Sequence, residues 1–486
     1  MAARRVRRRR SEVLTLKRAA ERTFSLEDQF AFARLSGDWN PIHLDHVFAR
    51  RTRAGDVIVH GVHAALWALD ACLSDRDGRV RLRSFKASFI RPMPVQTRLR
   101  TAVSHEEQYR AAVQIFCGPS LALQLDIAWG ADSGCPEAAP VEGGVPARTE
   151  PIDRSVADIA VCKGRVPLQL DVRAAAALFP SLASAVPVEQ LASLVAASRV
   201  VGVECPGLHS LLAEIDLLDQ PVPFAPEVAY RVDRVDSRFG LVRLQIETPG
   251  FTGHVEAFLR PKPTAQATVV AVRQAVRPGE FAGEAALVVG GSRGLGELTA
   301  KILAAGGAEV TLTYYRGEQD GARVVSEIRE NGGTARSIRF DVLDEAQQSP
   351  DWLRPDALYY FASPFIFSGT KGGFSAELLM QFCRYYVTGF WRVVEAFAAR
   401  GLTRVLYPSS VAIDDVPTDM GEYVVAKAAG EALAVVLEKR FRGLHVFRPR
   451  LPRMATDQTA TQLPVRAADP LPVMVDVLRA CHGGVR

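Results

Sequence analysis

Ala285-Ala286-Leu287-Val288-Val289-Gly290-Gly291-Ser292-Arg293-Gly294-Leu295-Gly296 sets an apolar run of strand length directly against a glycine-rich turn. Glycines let a backbone turn sharply and approach a ligand closely. A helix opening at Gly294 would aim its free N–H groups and the positive end of its dipole at a phosphate. Downstream the pattern alternates, with a helix over 294–305, a strand over Glu309–Tyr314, a helix over 319–331 and a strand over Ala335–Phe340. This rhythm predicts an α/β doubly wound parallel sheet over 284–486, with a dinucleotide at its first strand-to-helix turn.

Farther along, Tyr423-Val424-Val425-Ala426-Lys427 places a phenol and an amine four residues apart, on one face of a helix. A tyrosine with its ordinary pKa of about 10 shuttles protons poorly at neutral pH, and a neighbouring ammonium stabilises the phenolate. Ser410 follows the apolar strand Val405-Leu406-Tyr407 and is expected to hydrogen-bond a substrate oxygen, with Ser409 the weaker choice. Glycine loop, serine, tyrosine and lysine together resemble the short-chain dehydrogenase/reductase family, a Rossmann-type fold. The resemblance implies catalytic roles for Ser410, Tyr423 and Lys427. It also implies coenzyme contacts from Gly290, Ser292, Arg293, Gly294, Leu295, Gly296, Arg316, Asp341, Val342 and Ala362, joined by Tyr423 and Lys427. Arg316 after the second strand, with no acid before Glu318 and with Arg293 in the loop, favours NADP(H) over NAD(H). The family's threonine before the glycines is Val289 here, its Asn-Ala-Gly is Phe361-Ala362-Ser363, and its catalytic asparagine is Tyr386. The asparagine-linked water relay is therefore expected to be altered.

The N-terminal half carries a different signature, Ser36-Gly37-Asp38-Trp39-Asn40-Pro41-Ile42-His43. Adding or removing water beside a thioester needs one group at the α-proton and another at the hydroxyl, and a carboxylate with an imidazole can serve. Asn40-Pro41 constrains the loop between Asp38 and His43. Val59-His60-Gly61 precedes a helix over Gly61–Leu73, so the Gly61 N–H is the candidate donor to an enolate oxygen. With Ile58-Val59-His60-Gly61 at the expected distance, the segment resembles the MaoC-like, R-specific hydratase family. His46, His60 and His63 lie nearby in sequence, but without a cysteine or carboxylate at matched spacing no metal is expected.

Around this motif, Ser25 and Asp28 form a capping arrangement ahead of a helix bearing Phe32 and Leu35. Strands are predicted at Val80–Phe89, Thr97–His105, Ala111–Cys117 and Leu121–Ala128. Segment 155–260 repeats the order, with a helix over Val188–Val201 and strands at Leu211–Leu217, Val228–Val235, Leu241–Glu247 and Gly253–Leu259. No Gly-Asp-x-Asn-Pro-x-His recurs there. The expected chain is multidomain, an α+β double hot-dog followed by the Rossmann domain. Its parts are a basic tail over 1–20, a catalytic hot-dog repeat over 21–131, a linker over 132–154, a non-catalytic repeat over 155–260, a second linker over 261–283 and the reductase-like domain over 284–486.

The 486 residues suit about three domains of roughly 150 residues. No apolar run reaches the ~20 residues of a membrane-spanning helix. Scattered cysteines without a Cys-x-x-Cys pair argue for reduced thiols and, with no signal-type apolar segment behind the arginines, for the cytoplasm. The net charge of +5 comes from the tail, where Arg4, Arg5, Arg7–Arg10, Lys17 and Arg18 face only Glu12. Such a run can attract an acidic carrier protein, nucleic acid or anionic lipid. A disordered extension is the expectation, and nucleic-acid binding is not.

The combined expectation is a bifunctional enzyme that reduces a 3-oxoacyl thioester with NADPH and dehydrates the (R)-3-hydroxy product to a trans-2-enoyl thioester. The thioester would ride on acyl carrier protein or CoA, and self-association is expected by analogy. The same sites would serve hydration followed by oxidation, and a non-catalytic acyl-binding scaffold is a third reading.

Overall fold

The computed structural model describes residues 20–52, 54–75, 78–132, 141, 143–220, 226–347, 349–369, 371–460 and 465–483. The basic tail over 1–19 and most of the segment over 133–142 lie outside the described residues. The chain packs as two units, one of residues 1–45 and 56–260, the other of 46–55 and 261–486.

The first unit is built on one ten-stranded antiparallel sheet. Its strands are β1 (Glu21–Thr23), β2 (Val80–Phe89), β3 (Arg98–Glu107), β4 (Arg110–Cys117), β5 (Ser120–Ala131), β6 (Lys163–Pro167), β7 (Ser210–Leu218), β8 (Glu227–Asp236), β9 (Leu241–Glu247) and β10 (Thr252–Leu259). They lie in the order β1-β3-β4-β5-β2-β7-β10-β9-β8-β6. The strands alternate buried and exposed residues, as a sheet with one covered face requires. Helices Gly61–Leu73 and Val188–Arg199 cover that face and are buried almost all round.

Helix Leu26–Ser36 starts at a reciprocal capping box, in which Ser25 accepts from the Asp28 N–H and Asp28 accepts from the Ser25 N–H. It stops at Gly37, whose φ of 74° is left-handed. The turn into the Asp38 loop therefore depends on that glycine.

The two halves, predicted as consecutive repeats, share one core. β2 pairs with β7 from Ser84↔Leu218 to Ser88↔Glu214, and a single apolar cluster runs from Leu66 and Phe85 through Leu194, Ile215 and Leu244. A length suited to three domains thus folds as two units, because pairing β2 with β7 leaves neither strand as an open edge. Near this seam Asp219 accepts from Arg81 and Arg83, while Arg81 also donates to Glu189 at the start of helix Val188–Arg199. Arg81 and Asp219 are nearly inaccessible.

The main sheet of the second unit has six strands, all parallel: β11 (Ala285–Val289), β12 (Glu309–Tyr314), β13 (Thr334–Arg339), β14 (Ala357–Tyr360), β15 (Arg404–Leu406) and β17 (His445–Phe447). Their order, β13-β12-β11-β14-β15-β17, reverses direction beside β11. Ligands bind at such a switch point, beyond the carboxyl ends of the strands. A short pair, β16 (Ser409–Ser410) with β18 (Arg450–Leu451), extends the chain past β15. One face packs Leu298, Ile302, Val324 and Leu478, the other Phe382, Phe390, Phe397 and Leu437.

The second linker is a correction. Its prolines suggest irregular chain, yet Val269–Ala275 is a helix capped by the Thr268 hydroxyl, and Val269, Val272, Val276 and Phe281 are buried in the second unit's core. Apolar residues three and four apart outweigh the flanking prolines.

Removing Asp219 leaves the Arg81 guanidinium buried with only Glu189 as a carboxylate partner. Asp219→Ala should cost the first unit about 3–5 kcal/mol. Urea unfolding followed by hydrogen exchange should show this loss in peptides of 56–260 and leave those of 284–483 unchanged.

Candidate functional sites

In the first unit the Asp-x-Asn-Pro turn carries out the geometry expected of it. Asn40 accepts from the Ile42 N–H through Oδ1 and donates through Nδ2 to the Gly202 carbonyl at 2.8 Å, fixing the loop from both sides. Pro41 opens a short 3-10 turn that carries His43. The Nδ1 of His43 lies 2.8 Å from the Ile58 carbonyl. A carbonyl only accepts, so Nδ1 bears the proton and Nε2 is left as the basic nitrogen.

Ligand-type atoms of Asp38, His43 and His60 lie within 4.8 Å of one another. Both ring nitrogens of His60 are engaged, at 3.0 Å from Gln29 Oε1 and 3.1 Å from the Asp38 carbonyl, which leaves Asp38 and His43 as the reactive pair. The His60 ring stacks on that of His43 with centroids 3.9 Å apart and fixes its plane. His63 packs against Phe24, Phe32 and Phe179 as a core residue, and burial pushes it down to about 3.

Burial raises the Asp38 carboxyl to about 6, against the lowering pull of the Ser198 hydroxyl and the Asn40 N–H. Burial lowers His43 to about 4, with the nearby Arg260 charge adding to the effect. Both groups therefore titrate below neutral pH, with the proton held more tightly on the carboxyl. Asp38, His43 and Gly61 line one cavity of about 120 Å³, walled by Ile42, Phe89, Met93, Val201, Leu212 and Phe258. Gly61 is the first residue of its helix, and a Cβ there would lie 2.7 Å from Phe89. A side chain would fill the cavity at its donor end.

Sequence reasoning missed four supports of this site. Ser198 donates to Asp38 Oδ2 at 2.7 Å, and Gly202 lies so close that a Cβ would fall 2.2 Å from Oδ1. Both come from the segment over 155–260, expected to be a non-catalytic repeat. Gln29 and His60 are the others. His60 was visible beside Gly61, whereas the remaining three carry no local sequence signal.

In the second unit Gly290, with φ of 81°, would place a Cβ 2.9 Å from the Ala362 N–H nitrogen, and Gly296 would place one 2.3 Å from the Gly290 carbonyl. Gly294, with φ of 58°, faces open space at the start of helix Gly294–Ala305. Ser292 and Leu295 flank this cradle, which suits a pyrophosphate. At the strand ends, Arg316 is exposed with its guanidinium 5.3 Å over the Tyr315 ring. Arg293 is more committed than expected. It donates to the Arg50 carbonyl at 2.9 Å and lies 3.8 Å from Asp457, and burial lowers it to about 10. Asp341 accepts from the Leu343 N–H, which shapes the turn that holds Val342.

The structure brings Ser410, Tyr423 and Lys427 together. Burial raises the Tyr423 phenol, and a hydrogen bond with the Ser410 side chain opposes that shift. Ser409 instead donates to Glu431 at 2.6 Å, so Ser410 is the serine at the phenol. Lys427 donates to the Pro408 carbonyl at 2.7 Å, and burial lowers it to about 7 against the raising effect of Glu431.

A MaoC like domain model matches residues 13–117, and a short chain dehydrogenase model matches residues 284–350. The chain is 36% identical over 81 residues to fatty acid synthase subunit beta of Aspergillus oryzae, covering 16% of this chain and 4% of that one. It is 33% identical over 103 residues to a probable tetrahydroxynaphthalene reductase of Zymoseptoria tritici, covering 21% and 38%. The chain therefore spans well under two thirds of the length of these curated relatives. Among solved structures, a short chain dehydrogenase from Burkholderia cenocepacia in complex with NADP shares 24% identity, covering 41% of this chain and 90% of that one, with a TM-score of 0.36. A 3-oxoacyl (acyl-carrier-protein) reductase from Agrobacterium tumefaciens with NADP bound shares 23%, covering 42% and 91%, also with a TM-score of 0.36.

Ser198→Ala removes a hydrogen bond that favours the charged form of Asp38. The pH inflection due to Asp38 should move upward from about 6. A titration of the Asp38 carboxyl followed by infrared difference spectroscopy, compared with that of the intact chain, should show it. Together the motifs, their geometry and the two model matches identify the chain as a MaoC-like domain at the N-terminal end fused to a short-chain dehydrogenase/reductase domain.

Proposed function

We propose that the chain is a bifunctional 3-oxoacyl thioester reductase and (R)-3-hydroxyacyl thioester dehydratase, with the first unit a pair of hot-dog repeats and the second a coenzyme-dependent reductase. The observation that carries the reading is the convergence of Asp38 and His43 on one apolar cavity, at whose wall the Gly61 helix start also lies.

In dehydration, Nε2 of His43 takes the α-proton of the thioester. The Gly61 N–H, at the positive end of its helix, stabilises the enolate oxygen that develops. Asp38 holds a proton closer to neutral pH than His43 and delivers it to the leaving hydroxyl. Hydration reverses these roles, with one water held between the two groups. The apolar wall shelters the thioester end of the acyl chain and strengthens each charge interaction.

In the reductase site, the glycine cradle would hold the pyrophosphate of NADP(H), and Arg316 with Arg293 would favour the 2′-phosphate. When bound, the nicotinamide supplies the hydride. Ser410 fixes the substrate oxygen, Tyr423 delivers a proton to it, and the Lys427 ammonium lowers the cost of giving that proton up. The product of this reduction has the hydroxyl that the Asp38 site removes, which is the chemical reason to place the two on one chain.

The test is an assay of the purified chain with 3-oxoacyl thioesters on CoA and on acyl carrier protein, with NADPH or NADH and the product mass measured. NADPH oxidation with accumulation of enoyl thioester is the expected result, and a clear preference for the NAD couple would overturn the synthetic direction. Asp38→Asn should lower dehydration by about 10²–10⁴-fold and leave NADPH oxidation intact, while Tyr423→Phe should do the reverse.

A further inference from the structure

At the position the resembled family fills with asparagine, Tyr386 is 1% exposed, in a π-helical turn over Arg384–Gly389. Three contacts fix its ring. Its hydroxyl shares a 2.6 Å hydrogen bond with Ser363, Phe382 stacks on it at 6.0 Å with planes 9° apart, and Tyr423 meets it at 81° and 5.7 Å. The Nζ of Lys427 sits 4.1 Å from the centre of this ring, 4.9 Å from that of Tyr407 and 6.0 Å from that of Tyr423. The backbone carbonyl of Tyr386 accepts from the Tyr407 hydroxyl at 3.3 Å.

We infer that Tyr386 is a positioning residue for Lys427, carrying the ammonium on its ring face and so keeping it charged and in place beside Tyr423. This rests on the reductase reading for its consequence in catalysis, though not for its geometry. A buried ammonium loses hydration, and its charge survives only where other groups replace the water. Here one N–H goes to the Pro408 carbonyl and the aromatic faces supply the rest, since a ring's negative face attracts a cation within about 6 Å.

The groups facing Lys427 come from three places. Tyr386 comes from the π-turn, Tyr407 and Pro408 from the segment after β15, and Tyr423 and Glu431 from its own helix. Glu431, whose charge acts on Lys427, is itself held by Arg450 at 2.8 Å and by Ser409. Its pull is therefore shared with a second cation, which leaves the ring of Tyr386 as the aromatic face nearest the ammonium. Phe382 stacked against the ring and Tyr423 packed across it stop the ring from turning its edge, which is positive, toward Nζ.

The experiment is an NMR titration of the full chain, free of coenzyme and labelled at lysine Cε, with the Lys427 signal assigned by its loss in Lys427→Met. Tyr386→Phe, which keeps the ring, should titrate with the intact chain near 7. Tyr386→Leu and Tyr386→Met, which lack it, should titrate about one unit lower. An unchanged midpoint in both ringless variants, or an equal drop in Tyr386→Phe, would overturn the assignment. Hydrogen exchange in peptides of 284–483 reports whether each variant is folded.

In the same variants, the pH limb for oxidation of a 3-hydroxyacyl thioester should move to higher pH when the ring is lost, because a neutral Lys427 no longer stabilises the Tyr423 phenolate. An intact chain that turned over no NADPH would defeat the reductase reading and leave the titration to decide the role of Tyr386.

Discussion

Antiparallel pairing of β2 with β7 is the constraint on which the first unit depends. It turns two half-sheets into one and sets helix Val188–Arg199 beside the loop that holds Asp38. A carboxylate raised by burial is unstable as a charged group unless hydrogen bonds compensate. Ser198 from that helix and the Asn40 N–H from the loop provide them. The buried setting that raises the Asp38 carboxyl is thus held in place by chain more than 150 residues away in sequence. A slip of one residue between β2 and β7 would turn the buried faces outward and withdraw Ser198 from the carboxylate.

The second unit solves the opposite problem. Its candidate groups are a phenol and an amine, both pushed toward the neutral form by burial, and the proposed chemistry needs one of them charged. It does so with aromatic rings and a carbonyl around Lys427, and holds Glu431 one turn farther along the same helix. The Gly430 backbone makes this possible, since a Cβ there would fall 1.9 Å from the Tyr407 hydroxyl. Tight packing of Tyr407 against the helix is therefore what leaves its ring beside Nζ.

Local features of both units were legible in the sequence because they depend on near neighbours. The helix over Gly61–Leu73, the Ser25/Asp28 box and the βαβ rhythm after Ala285 all follow from periodicity and capping within a few residues. The relative placement of Ser410, Tyr423 and Lys427 was legible for the same reason, because a strand end and one helical turn fix it. Gln29, Ser198 and Gly202 were not, since a polar residue on a buried helix and a glycine in a π-turn show their use only when the distant loop arrives. Helix Val269–Ala275 was obscured differently. Its apolar spacing was present, but the prolines on either side dominated the reading.

Joining the two halves of the first unit in one polypeptide has a consequence for how such a molecule can change. In an assembly of identical copies, any substitution appears in every copy, so a residue that supports a neighbour's active loop must also be tolerated beside its own. Here the half that presents Ser198 and Gly202 to Asp38 has no Gly-Asp-x-Asn-Pro-x-His loop to maintain. Covalent fusion frees it from that double duty, and selection can shape the supporting half for support alone.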